Sequence, residues 1–112
     1  MSNQSVMEEV FDALGEPARR RILEVLHRGP TAVGAIANQL PIKRPAVSRH
    51  LRVLSDAGLI RHERVGTRNL YALAPEGIVA AERWLVTTWD VALSSFAYFV
   101  RDTTAQNDRP YP

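Results

Sequence analysis

The sequence predicts an α+β fold, mainly helical, and three observations predict it. Apolar residues recur at helical spacing in four successive segments before Gly58, each bounded by glycine or proline. Two short β-prone runs flank Val65-Gly66-Thr67-Arg68. A last apolar series, Ile78, Leu85, Trp89, Ala92, Phe96 and Phe99, keeps helical spacing to the end of the fold. Helices, a close-coupled helix pair and a two-stranded hairpin, in that order, make a winged helix–turn–helix with a hairpin wing and a long C-terminal helix.

The elements follow in order. Ser5 and Glu8 form a capping box ahead of Val6, Val10 and Leu14, predicting a helix over about 6–14 closed by Gly15. Pro17 suits the first position of a second helix, whose stripe is Ile22, Val25 and Leu26 and whose stop is Gly29-Pro30. Thr31 is the expected cap of a third helix over 32–39, with Val33, Ile36, Ala37 and Leu40 inward. Pro41 and Pro45 cannot both lie inside one helix, so the segment between them is a tight connection. Arg44, preceding a proline, is expected to be extended. A fourth helix then runs over 45–57, with Val47, Leu51 and Leu54 on one face and Gly58 at its end. Strands are expected over 59–65 and 69–73, and a fifth helix over 75–101, opened by Pro75. The tail 103–112 is polar with two prolines and is expected to be disordered, leaving one domain over 1–102.

The chain has 112 residues, 46% hydrophobic and 23% charged, ordinary for a globular protein. It has no cysteine, which excludes disulfides, thiol catalysis and thiolate metal sites. No apolar run is long enough to span a membrane, and Met1–Asn3 lack the basic start of a signal peptide, so a cytoplasmic protein is expected. The net charge is only +2, but residues 17–68 hold eleven bases against three acids, a net of +8. The remainder holds three bases against nine acids, a net of −6. A basic middle between acidic ends is the electrostatic footprint of a nucleic-acid binder.

The fourth helix is the expected recognition helix, and double-stranded DNA the expected partner. With Val47, Leu51 and Leu54 turned inward, Arg44, Pro45, Ser48, Arg49, Arg52 and Ser55 lie outward. Arginine pairs bidentately with guanine, and serine donates or accepts at any base. Thirteen arginines against one lysine also favour the better phosphate fork. The candidate DNA-binding residues are Lys43, Arg44, Pro45, Ser48, Arg49, His50 and Arg52, with Arg64, Thr67 and Arg68 on the hairpin. His50, at the edge of the buried face, reads either as a packed structural histidine or as a phosphate or base contact. The Arg19-Arg20-Arg21 run reads as a phosphate contact, a solvated face, or an ion pair with Glu16 or Glu24.

The fifth helix carries more large apolar residues than so small a domain needs inside. Val6, Val10, Phe11 and Leu14 of the first helix with Leu85, Trp89, Phe96 and Phe99 of the last are the expected homodimer seam. A second reading of the aromatics Trp84, Trp89, Phe96, Tyr98 and Phe99 is a pocket for a small apolar effector.

Ala18-Arg19-Arg20-Arg21-Ile22-Leu23, Pro45-Ala46-Val47-Ser48-Arg49-His50-Leu51-Arg52-Val53-Leu54 and Ala57-Gly58-Leu59-Ile60 resemble the ArsR/SmtB family of bacterial repressors. The likeness covers about residues 8–100. It implies a homodimeric winged-helix repressor that binds an operator near its own promoter and is released by a signal, with dimer contacts through the first and last helices. The chain departs from the metal-sensing members. Their paired cysteines on the third helix correspond to Ala32 and Gly34, and the last helix has Asp90 and Asp102 but no histidine. His27, His50 and His62 lie on three different elements, so no metal site and no cofactor are expected.

An enzyme is not expected. Ser48 and His50 stand two apart on one helix and point differently, and no phosphate loop or paired-carboxylate cleft is evident. Two rival readings are an architectural DNA binder of low sequence preference and a winged-helix module for protein–protein contact. The arginine-bearing face of 44–55 argues against the second.

Overall fold

The computed structural model describes the backbone of residues 3–107 and the side chains of residues 4–103. Helix α1 spans Asn3–Leu14 and α2 Pro17–Val25, extended by a 3₁₀ turn at Leu26–Arg28. Strand β1, Thr31–Ala32, precedes α3, Val33–Asn38, and α4, Arg44–Asp56. Strands β2, Ile60–Val65, and β3, Arg68–Leu73, form the hairpin, and α5 covers Ile78–Asn107. The chain divides into two compact units, one ending at Ala81 and one beginning at Glu82.

The first unit has one apolar core. Val10, Ala13, Ile22, Ile36, Val47 and Leu54 are fully buried, with Leu26, Leu51, Leu59 and Ile60 nearly so. Each large side chain among them contributes roughly 1.5–3 kcal/mol by leaving water. The core draws on α1, α2, α3, α4 and β2, so the helix pair α3–α4 shares it with the two preceding helices and the first hairpin strand.

The hairpin closes through Gly66-Thr67, with Val65 paired to Arg68. Gly66 has φ +65, the left-handed geometry that a type II′ loop requires at its first position. The sheet is three-stranded and antiparallel in the order β1-β3-β2. β1 lies outside the expected two-stranded wing. Thr31 pairs with Tyr71 and Ala32 with Leu70. Thr31 is therefore not the cap of α3. Its hydroxyl donates to the Gly29 carbonyl at 2.9 Å, and Ala32 is the cap residue, without a side-chain bond.

Other boundaries also move. α1 begins ahead of Ser5, so the capping box does not mark its start. Arg44 is already helical, and the extended residue is Lys43 at φ −74, ψ 150. Pro75 opens a turn rather than a helix, because the Gly77 N–H donates to the Gly58 carbonyl at 2.9 Å and holds residues 74–77 against the end of α4. α5 then continues through residues 103–107, which were expected in the tail; residues 108–112 of that tail lie outside the described residues.

Candidate nucleic-acid interface

α4 is built to present one face. Pro45 sits in its first turn, where a missing N–H costs nothing, and the Lys43 carbonyl accepts the Ala46 and Val47 N–H groups at 3.0 and 3.1 Å. Val47, Leu51 and Leu54 lock the helix into the core. Lys43, Arg44, Pro45, Ser48, Arg49 and Arg52 are all exposed. Thirteen residues give about 19 Å of helix, enough to lay several side chains along a major groove. α3 supports it through Ile36, fully buried, with Val33, Ala37 and Leu40 packed against the core.

Between α4 and the hairpin lies an open cleft of about 480 Å³, lined by Ser48, Arg49, Leu51, Arg52, Ser55, Asp56, His62 and Tyr71. Tyr71 is the pivot of this wall: it pairs with Thr31 on one side and His62 on the other. The His62 and Tyr71 rings stand 5.6 Å apart, tilted by 32°. Asp56, His62 and Tyr71 were not among the expected site residues. The register of β3 against β2 is the signal for His62 and Tyr71, and Asp56 follows Arg52 by one helical turn on α4. Guanidinium, hydroxyl, imidazole and phenol groups here supply donors and acceptors suited to base edges and phosphates.

Arg64, Thr67 and Arg68 are not in the cleft wall; they form the exposed hairpin tip. The Arg64 Nε donates to the Gly66 carbonyl at 3.3 Å, which folds one guanidinium over the turn. Arg61 at the other end of the strand pairs with Glu76 at 3.6 Å, both well exposed. Such a pair is worth little to stability.

His50 is half-buried and does not join the exposed row. Its Nδ1 lies 3.4 Å from a terminal nitrogen of Arg19. In the arginine run of α2, Arg20 and Arg21 are exposed and Arg19 is half-buried. Arg19 donates to the carbonyls of Ala13 and Asp12 at 2.7 and 3.1 Å, and Arg20 to that of Leu14 at 2.6 Å. These are main-chain acceptors at the end of α1, not carboxylates.

The expected seam residues separate into two groups. Leu85, Trp89, Phe96 and Phe99 are 43%, 52%, 64% and 65% exposed, open apolar surface on α5. Val6, Phe11 and Leu14 are half-buried. Val10 is a correction: it is wholly buried in the first unit's core, so no second chain can reach it. Among the described residues no three His, Asp or Glu side chains converge as metal ligands. Among them, too, no helix is long and apolar enough to cross a membrane.

A helix-turn-helix domain family profile matches residues 14–63, which hold α2, α3, α4 and the start of the hairpin. The chain is 41% identical over 100 residues to the HTH-type transcriptional regulator Rv2034 of Mycobacterium tuberculosis, covering 89% of this chain and 94% of that one. It is 34% identical over 80 residues to the transcriptional repressor SdpR of Bacillus subtilis, covering 71% and 89%. The crystal structure of the ArsR family transcriptional regulator RHA00566 superposes with a TM-score of 0.72 at 31% identity, over 81% of this chain and 94% of that one. The solution structure of a homodimeric winged helix-turn-helix DNA-binding domain from Mycobacterium bovis does so at 0.63 and 30% identity, over 79% and 83%. The residue motifs, the helix pair with its hairpin wing and these likenesses agree: the chain belongs to the ArsR/SmtB family of winged helix–turn–helix transcriptional regulators.

Proposed function

We propose that the chain works as a homodimeric repressor that reads a two-fold operator, at or near its own promoter, with α4. The observation that carries this reading is the division of α4 into a locked apolar face and an exposed row. Ser48 and Arg49 reach base edges; Lys43, Arg44 and Arg52 hold phosphates; Pro45 lets the helix start close to the backbone. His50 supports the row from its edge. Arg64, Thr67 and Arg68 grip the flanking backbone or minor groove, where a narrow groove favours arginine. Repression follows from occupancy, since a dimer lying on promoter DNA excludes polymerase. This role places the protein in the cytoplasm with the DNA.

The dimer is supported by α5. Leu85, Trp89, Phe96 and Phe99 leave large apolar side chains open along one helix, a pattern that marks an interaction surface. A second copy is the occupant that a two-fold operator requires. Val6, Phe11 and Leu14 add the half-buried flank of α1.

Genome-wide capture of bound DNA fragments tests the reading. We expect a small set of sites that includes the chain's own promoter and shares an imperfect palindrome with half-sites about 34 Å apart. Fragments with no common sequence would support the architectural alternative instead.

A further inference from the structure

We infer that Arg19 is a positioning residue for operator recognition: its guanidinium ties the end of α1 to His50 of the recognition helix and fixes the imidazole tautomer there. The inference rests on the proposed DNA-reading role of α4.

A helix ends in carbonyls that lack intrahelical partners. In α1 the carbonyls of Asp12, Ala13 and Leu14 are met by arginines from α2. Arg19 takes the first two at 3.1 and 2.7 Å, and Arg20 takes the third at 2.6 Å. The other terminal nitrogen of Arg19 lies 3.4 Å from Nδ1 of His50. Arginine stays protonated and offers only donors. Nδ1 must therefore accept, and the neutral ring carries its proton on Nε2. The contact is at the long end of hydrogen-bond range, so it orients more than it binds.

The link has a geometric consequence. His50 stands between Arg49, in the exposed row, and Leu51, in the core. α1 carries Val6, Phe11 and Leu14, which the proposed dimer places at the seam. Two recognition helices must be held about one helical turn apart to meet both half-sites. A planar fork that binds the end of the seam helix and the edge of the reading helix together fixes that spacing. A lysine carries its three donors on one nitrogen and lacks the planar fork that spreads them toward two helices.

The test uses the full chain. Ring ¹⁵N shifts of His50 are recorded in alkaline buffer, where imidazoles are neutral. Affinities of wild type, Arg19→Gln and Arg19→Lys are measured on the operator and on an isolated half-site. We expect the Nε2–H tautomer in wild type and a mixture in Arg19→Gln. Operator affinity should fall about 10- to 100-fold in both variants, the loss of one or two charge-assisted bonds, while the half-site loses far less. Unchanged operator affinity, an equal loss on both DNAs, or an Nδ1–H ring in wild type would each overturn the inference. Should the Arg19 variants not fold, His50→Asn and His50→Gln decide. The asparagine oxygen lies near the Nδ1 position, the glutamine amide near Nε2. His50→Asn should bind the operator about 3- to 10-fold more tightly than His50→Gln, and the opposite order would refute the link. A wild-type chain that does not prefer its operator to scrambled DNA would sink the DNA-reading role itself, and the ring shifts would still report on the Arg19 contact.

Discussion

Gly77 rests its backbone on that of Gly58: its N–H donates to the Gly58 carbonyl at 2.9 Å, and a Cβ at Gly77 would lie 2.8 Å from the Gly58 carbonyl carbon and closer still to the Ala57 carbonyl oxygen. Gly58 itself holds φ +76, a conformation that side chains rarely adopt. The two glycines let the segment leaving the hairpin cross the end of α4 with no side chain between. Gly77→Ala is expected to destabilise the fold by about 1–3 kcal/mol or more, because the contact is with backbone and cannot relax cheaply. Urea unfolding of the variant checks this, and an unchanged midpoint would contradict it.

Base readers and backbone anchors separate by mutation. Ser48→Ala and Arg49→Ala are expected to cost roughly 1–3 kcal/mol each on the operator and to relax base preference. Arg64→Ala and Arg68→Ala, at the hairpin tip, should weaken all sequences alike and shallow the salt dependence by about two units each, one per subunit. Binding to a panel of single-base operator variants distinguishes the two classes. Altered preference in the tip variants with none in Arg49→Ala would reverse the roles.

Much of this arrangement is legible in the sequence, and the exceptions share a cause. The spacing of Val47, Leu51 and Leu54 fixes which side of α4 faces the core, so the exposed row follows from local periodicity. What escapes is non-local. β1 is two residues long and exists only because Thr31 and Ala32 meet Tyr71 and Leu70 of β3. The Arg19 and Arg20 bonds to α1 look, in a charge tally, like two more positive residues. Pro75 is a good helix start, but the Gly77 bond to Gly58 overrides it. Val10 sits on an apolar stripe that marks burial without saying what covers it; here it is the chain's own core.

The proposed seam is open to a single charged substitution. Phe96, 64% exposed on α5, should be covered in the dimer. Phe96→Glu would bury an unpaired carboxylate there, at a cost of several kcal/mol, and leave the first unit's core untouched. Sedimentation is expected to give a monomer, with operator binding lost in the same preparation as the second half-site contact disappears. A folded monomer with full operator affinity would contradict the dimer.

Metal should have no effect. The chain has no cysteine, and among the described residues no three His, Asp or Glu side chains converge. Zinc, cobalt or a chelator is expected to leave operator affinity unchanged in a gel shift. Release of DNA at stoichiometric metal would reveal a site built from carboxylates and scattered histidines.

The most direct measurement of sequence-specific reading by α4 is the affinity of the purified protein for its own promoter beside a scrambled duplex of equal length, across salt. Two subunits neutralising roughly 6–10 phosphates should lose about 10³–10⁵ in affinity on both duplexes between 50 and 200 mM salt. The promoter should stay at least about 10³-fold tighter throughout. Equal affinity for the two duplexes at every salt concentration would contradict the account.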